Sequence, residues 1–341
     1  MSLRREGRFE NVRCPNKVGE GNQLMTRNIL VTGGNGFIGS HLVDRLASQP
    51  GTSVTVFDIY PRLYGPLPAH TNFIQGNLND IGSIRKALVD FNIKLVYHTA
   101  WANIPESAQK NVIADLETNV IPTVHLLYAC CEVGIKRFIF LSSVGGVYGI
   151  PNKIPIPESN PTNPINAYGV TKLTIEKYLG MYEHLYGLEN IILRPSVPYG
   201  PRQNPHRRQG VVSAFIYNAL MKRPVIIWGN GKDIIRDFFY IDDLVEALIQ
   251  VQEIPAGSEA VYNLGGSTPY SLDDIVRIVQ DVLGIAIEVR QESPRAFDVP
   301  HLVLDISHAM NVLRWSPKTS VENGVARTAN WIKENIIKEG Y

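Results

Sequence analysis

Cysteine is nearly absent from this 341-residue chain, which holds only Cys14, Cys130 and Cys131. Three thiols at those spacings make neither a disulfide framework nor a metal-ligand pattern. Cys130 and Cys131 lie in an apolar stretch, where core thiols belong. A charge imbalance is missing too: 33 Lys and Arg face 32 Asp and Glu, for a net charge of +1. With the signs interspersed, nothing favours a nucleic acid or an acidic membrane surface as partner. Arg202, His206, Arg207 and Arg208 form only a local basic cluster, suited to a small anion or to solvent. No apolar run is long enough to cross a bilayer. Arg4, Arg5 and Arg8 are followed by no hydrophobic segment, so a secretory signal is not expected and the chain reads as a cytoplasmic enzyme. Internal repeats and low-complexity tracts are lacking as well.

What is present is a regular alternation. Residues 1–25 are polar, without period, and read as an extension outside the fold. From Arg27 onward, short apolar runs such as Asn28-Ile29-Leu30-Val31, Leu95-Val96-Tyr97 and Phe138-Ile139-Phe140-Leu141 alternate with stretches of helical period at 83–91 and 119–133. That order predicts an α/β protein, a Rossmann-type doubly wound parallel sheet with helices on both faces. After Gly149 the texture changes, and Pro151, Pro155, Pro157, Pro161 and Pro164 mark a long surface loop.

The first strand-like run leads into Thr32-Gly33-Gly34-Asn35-Gly36-Phe37-Ile38-Gly39 and then into a helical pattern. Gly33, Gly36 and Gly39 thus fall where a strand turns sharply into a helix. One glycine permits the turn, one lets backbone approach a pyrophosphate, and one lets helix and strand pack closely. Free N–H groups at the helix start then face the phosphates. A second strand-like run ends in Asp58, about twenty residues further on, where a carboxylate meets the adenosine ribose and repels a 2′-phosphate. The cofactor expected is NAD rather than NADP; Arg62 is the one nearby cation that argues the other way.

Tyr168 and Lys172 are four residues apart in a helix that opens after the proline loop, so they share a face. The pair suits a tyrosine general acid/base with a lysine beside it. A free phenol titrates near 10, roughly three units too high to act as a base at neutral pH. One cation about 4 Å away, at an effective dielectric of about 20, is worth roughly 4 kcal/mol, or up to about three pK units. Lys172, helped by the charge of oxidised nicotinamide, is therefore expected to bring Tyr168 toward neutrality.

With those motifs in place, the chain resembles extended short-chain dehydrogenases/reductases of the nucleotide-sugar epimerase/dehydratase family, nearest in pattern to the 4-epimerases. The resemblance runs over 27–331. It includes Gly76-Asn77-Leu78 (the family usually has Asp where Asn77 stands), Tyr97-His98-Thr99-Ala100, Ser142-Ser143 and Val147-Tyr148-Gly149. It continues through Arg194-Pro195-Ser196-Val197-Pro198-Tyr199-Gly200-Pro201-Arg202, Arg236-Asp237-Phe238, Tyr240-Ile241-Asp242-Asp243 and Trp315-Ser316-Pro317. It implies a Rossmann domain over 26–193 and a smaller α/β C-terminal substrate domain over 194–341, with a segment near 235–265 returning to the first. It implies an NAD site lined by Gly33, Gly36, Phe37, Ile38, Gly39, Asp58, Asn77, Leu78, Thr99, Ala100, Asn119, Ser142, Tyr168, Lys172, Pro195 and Ser196. Arg236 and Arg295 would grip a nucleotide diphosphate, Asp298 its ribose, and Val211 would line the same site. The implied substrate is a UDP-sugar, no metal is involved, and the implied assembly is a homodimer packed through helices at 118–131 and 168–185.

Two residues depart from that pattern. The hydroxyl that touches the reacting sugar falls at Val144, which leaves Ser143 to supply it. Val197 stands where an Asn usually contacts the nucleotide sugar. Gly145-Gly146 also occupy the places where the dehydratases carry an acid pair, so elimination is not expected. A catalytic set of Tyr168, Lys172 and Ser143 remains, suited to transient oxidation at C4 and return of the hydride. The competing readings are a one-way 4-keto-sugar reductase or sugar-nucleotide oxidase, and an NAD-binding protein with little turnover.

Overall fold

The computed structural model describes residues 27–206 and 210–338. The extension at 1–25 and the cluster members Arg207 and Arg208 lie outside the described residues. Seven parallel strands form the central sheet: β1 (Arg27–Thr32), β2 (Thr52–Asp58), β3 (Thr71–Gln75), β4 (Leu95–His98), β5 (Arg137–Leu141), β6 (Glu189–Pro195) and, after four short strands, β11 (Val261–Leu264). Their order is β3-β2-β1-β4-β5-β6-β11, which reverses direction at β1. In such a sheet ligands bind beyond the carboxyl ends of the strands, at the reversal.

The inner strands are buried on both sides, and the alternation of side chains shows why. Ile29 and Val31 of β1 enter one core with Ile139, Leu141, Ile191 and Leu193. Leu30 enters the other with Val96, Phe138, Phe140 and Ile192. A period of two with both registers apolar is what a doubly covered parallel sheet requires. On the first face lies α1 (Phe37–Ala47); α2 (Ile81–Asp90), α3 (Pro105–Lys110), α4 (Val112–Asp115), α5 (Ile121–Val133) and α6 (Val144–Val147) follow in the chain. The long α7 (Ala167–Tyr186) packs on α5 over the second face. Asn166 starts α7, its side-chain oxygen accepting the Gly169 N–H at 2.8 Å, and Gly187 ends it with φ of 69°.

The C-terminal part adds β7 (Val197–Tyr199), α8 (Val211–Leu220), β8 (Val225–Trp228), β9 (Ile235–Arg236), β10 (Phe238–Tyr240), α9 (Ile241–Gln250), β12 (Tyr270–Ser271), α10 (Leu272–Leu283), β13 (Val289–Glu292), β14 (His301–Leu302), α11 (Ser307–Leu313) and α12 (Val321–Ile332). α9 packs on α1, and β11 then joins the central sheet beside β6. The first core continues unbroken into this part through Phe215, Ile216, Phe239, Ile275 and Trp315.

The proline segment is not a free surface loop. Ile156 is fully buried, bridges to Leu304, and its carbonyl accepts from Asp305 N and Asn263 Nδ2. The prolines remove donors, but the backbone groups between them still have to be paired, and the C-terminal part pairs them.

Beneath the site runs a buried ionic network. Arg194 pairs with Glu176 through Nη2–Oε2 at 2.6 Å and Nε–Oε1 at 3.1 Å, with the side chains only 6% and 5% exposed. Ser142 Oγ donates to Glu176 Oε1 at 2.6 Å, and Arg194 Nη1 donates to the Tyr148 hydroxyl at 2.8 Å. Glu176→Ala leaves the guanidinium buried without its counter-ion and is expected to cost about 3–5 kcal/mol in urea unfolding. The double variant Glu176→Leu/Arg194→Met, which removes both charges, should lose less than that single one.

Candidate active site

The strand–turn–helix at the amino end is built as a phosphate cradle. Gly33 has φ of +70°, and a Cβ there would sit 2.6 Å from the Ala100 backbone. A Cβ on Gly39 would lie 2.8 Å from Gly34 Cα, so α1 reaches its close packing only with glycine. Gly36 is the N-cap of α1 and provides no side-chain cap, which leaves the N–H groups of the first turn, at Phe37 and Ile38, for an anion. Asp58 ends β2; its carboxylate accepts the Asn35 N–H at 3.0 Å and the Tyr60 N–H at 3.2 Å. Arg62 is turned away: both its Nη groups hold Asp44 at 2.7 Å. The one cation that would have welcomed a 2′-phosphate is thus already engaged. Thr99 donates to Thr32 O at 2.7 Å, Asn77 caps its own turn through Asn79 N, and Leu78 packs into the second core. These features fit NAD.

Asn119 and Ser142 are placed differently. Asn119 is buried, takes the Ala102 N–H at 2.8 Å and donates to Asp115, so it fixes the loop after β4. The Ser142 hydroxyl is held by Glu176. Both shape the site from behind, with their polar atoms already engaged by protein.

Tyr168 and Lys172 project from the first turns of α7 to the carboxyl end of β5. Lys172 Nζ donates to Leu141 O at 2.7 Å and lies 5.8 Å from the centre of the Tyr168 ring. Ser143, at the start of α6, hydrogen-bonds the Tyr168 phenol. Val144 is wholly buried in the first core, so the hydroxyl beside the Tyr168 phenol is that of Ser143. The turn reaches this close because α6 and α7 touch through glycine: a Cβ on Gly146 would be 2.5 Å from Gly169 Cα.

Without a bound dinucleotide, burial governs the acidity of the phenol. Burial pushes Tyr168 up to about 12; the Ser143 hydrogen bond opposes this and the charge of Asp115 adds to it. Burial also pushes Lys172 well below the ordinary lysine range, against the pull of Glu176 and Asp115. A dry site drives both groups toward neutrality, and Lys172 alone does not make the phenol a base.

Beyond the sheet, Arg236 donates to the carbonyls of Ile235, Val299 and Pro300 at 2.6–2.8 Å. No carboxylate pairs with it among the described residues, and burial lowers it to about 10. Arg295 differs: its Nε holds Asp298 at 2.7 Å, and its guanidinium lies 4.7 Å from the Trp228 ring centre. Asp298 is therefore engaged with Arg295 in this state. Pro195 ends β6, Ser196 donates to the Asp237 carbonyl, Val197 begins β7 beside Phe238, and Val211 opens α8.

Comparison with known proteins agrees with this geometry. Residues 29–265 match the NAD dependent epimerase/dehydratase family. The chain belongs to that family. Among its members, the UDP-glucose 4-epimerase of Mycolicibacterium smegmatis is 32% identical over 309 residues, covering 89% of this chain and 98% of that protein. The UDP-glucose 4-epimerase of Thermotoga maritima, crystallised with UDP-glucose, superposes with a TM-score of 0.86 at 32% identity, over 91% of this chain and 99% of the other. That of Thermus thermophilus, in complex with NAD, gives 0.84 at 30% identity, over 91% and 100%. As a member of the family this chain is an NAD-dependent enzyme, and when bound the dinucleotide supplies a hydride acceptor at C4 of its nicotinamide.

Sequence reasoning passed over Asp237 and Trp101. Asp237 is fully buried, accepts the Leu304 N–H at 3.1 Å, leaves Oδ1 without a protein partner, and is pushed up to about 7 by burial. It ties the Ser196 strand to the C-terminal part, and its place inside Arg236-Asp237-Phe238 was the available signal. For Tyr168, the ultraviolet difference between wild type and Tyr168→Phe should show phenolate only near pH 12 without cofactor. Oxidised NAD should move that increment down and reduced NAD should not, because only the oxidised ring is cationic.

Proposed function

We propose that this protein is a nucleotide-sugar 4-epimerase acting on a UDP-hexose with tightly held NAD. The observation that carries the reading is the meeting of the Tyr168 phenol, the Ser143 hydroxyl and the Lys172 ammonium at one strand end, with Gly145 and Gly146 alongside where an eliminating site needs an acid and a base. Tyr168 takes the proton of the C4 hydroxyl as oxidation proceeds and gives it back after the 4-keto sugar has turned its other face. Ser143 donates to the same oxygen and holds it against the phenol. Arg236 and Arg295 anchor the diphosphate, and planar guanidinium groups suit its oxygens. Asp58 takes the adenosine ribose, and the Gly33–Gly39 turn the pyrophosphate.

The assembly proposed is a homodimer through α5 and α7. Val170, Met181 and Leu185 are exposed on α7 at near-helical spacing, with Ile113 and Ile121 exposed on the neighbouring segment. Among the described residues no helix is long and apolar enough to cross a membrane, and Cys130 and Cys131 are buried free thiols; these support a cytoplasmic setting.

Incubation with UDP-glucose, UDP-N-acetylglucosamine and UDP-glucuronate, followed by separation of the C4 epimers, tests the activity. Interconversion of at least one pair is expected, and failure on all three sinks the reading. Ser143→Ala should lower kcat by about 10²–10³-fold, as expected for one donor to a reacting oxygen. Val144→Ser should bring no gain, because that side chain faces the core. Sedimentation should show a dimer that Met181→Glu/Leu185→Glu converts to monomer.

A further inference from the structure

Trp101 follows Thr99-Ala100 in the loop after β4 and has no part in the chemistry described so far. Its indole lies across the Lys172 side chain, with Nζ 3.6 Å from the ring centroid. Phe140 and Tyr168 complete a cage, their centroids 4.9 and 5.8 Å from the same nitrogen. The indole is braced by both, 6.1 Å from each ring and edge-on to Tyr168.

The polar surroundings of Lys172 are sparse. Its hydrogen bond to Leu141 O is the one polar contact at close range, and no carboxylate lies within ion-pair distance among the described residues. Glu176 on α7 and Asp115 on α4 favour the charge from further off. Glu176 is shared with Arg194 and Ser142, and Asp115 with Thr171, Asn103 and Asn119. His98 on β4 is held between Thr32 and Thr123, and burial with the nearby Lys172 keeps it neutral. Tyr168 is the remaining titratable neighbour. An indole face attracts a cation more strongly than the other aromatic rings do, and most strongly where water is excluded. Filling space does not explain the choice of tryptophan: Nε1–H is buried with no protein acceptor, a cost that leucine or phenylalanine would avoid.

We propose that Trp101 is a positioning residue for Lys172, its indole face holding the ammonium charged and aimed at the nicotinamide end of the dinucleotide site where a carboxylate would otherwise be needed. The inference rests on the reading of Tyr168 and Lys172 as the reacting pair. It adds to that reading the group that keeps the lysine a cation in a dry site.

The test is the titration of Lys172 itself, followed by NMR in NAD-loaded protein carrying 13C-labelled lysine, with the resonance assigned through Lys172→Met. Trp101→Leu should lower the midpoint by about one pH unit or more, and Trp101→Phe by less, as expected from the loss or weakening of one desolvated cation–π contact. In the same variants kcat for epimerisation should fall about tenfold for a shift of that size, with KM for the UDP-sugar within about twofold of wild type. An unchanged midpoint in Trp101→Leu overturns the proposal. Should that variant fail to fold, an unchanged midpoint in Trp101→Phe does the same. A shifted midpoint in a protein that epimerises no UDP-sugar would leave the role of Trp101 standing and remove the epimerase reading instead.

Discussion

One buried amine organises this molecule. Lys172 sits at the carboxyl end of β5 with a single carbonyl and three aromatic rings around its nitrogen, and burial works against both it and the phenol one turn away. The magnitudes decide what the site does at rest. Burial lifts Tyr168 to about 12. A unit charge about 6 Å away, at an effective dielectric of about 20, is worth roughly 3 kcal/mol, or about two pK units. A charged Lys172 therefore returns the phenol only to its ordinary range. A second cation of similar reach is needed to bring it near neutrality, and oxidised nicotinamide is one. In the proposed mechanism the phenol would act as a base while the oxidised dinucleotide is in place and revert once it is reduced, which would tie the proton and hydride movements together by electrostatics.

The backbone makes this arrangement possible by what it leaves out. At Gly33 and Ala100, and again at Gly146 and Gly169, two segments approach more closely than any side chain permits. The first contact shapes the phosphate turn, and the second draws the start of α6 against α7. That second approach brings the Ser143 hydroxyl to the phenol while Val144 turns into the core. Which of the two neighbouring side chains faces the phenol is thus set by a close approach of two glycines.

Features governed by local chemistry were legible in the sequence. The glycine turn before α1, the carboxylate ending β2 and the shared face of Tyr168 and Lys172 each follow from φ preference, strand alternation or helical spacing. What depends on packing was not. The sign of the shift at Tyr168 turns on burial, which residue spacing does not reveal. Arg62 looked like a rival for the ribose site because it is near Asp58 in sequence, yet Asp44 on α1 holds it in a bidentate pair. The prolines after Gly149 signalled a loop correctly, but not that Ile156 would be buried against Leu304. Trp101 belongs to no motif; only its contact with Lys172 marks it.

On the substrate side the two arginines are unequal, and the inequality bears on what the site selects. Arg236 is oriented in advance by three backbone carbonyls and forms no ion pair with a carboxylate among the described residues. Arg295 is already paired with Asp298 and packed near Trp228. For the proposed nucleotide diphosphate, the first phosphate meets Arg236 at little cost in order, whereas reaching Arg295 means competing with Asp298 for the guanidinium. A single phosphate satisfied by Arg236 gains nothing from opening that pair. A diphosphate gains a second charge-assisted contact and, once Asp298 is released, a carboxylate free to accept from a ribose hydroxyl. In the proposed site the pair at 295 and 298 would thus favour a ligand that brings both a second phosphate and a sugar. That selectivity lies in the exchange of partners and requires nothing from Val197, the position where the usual asparagine is missing.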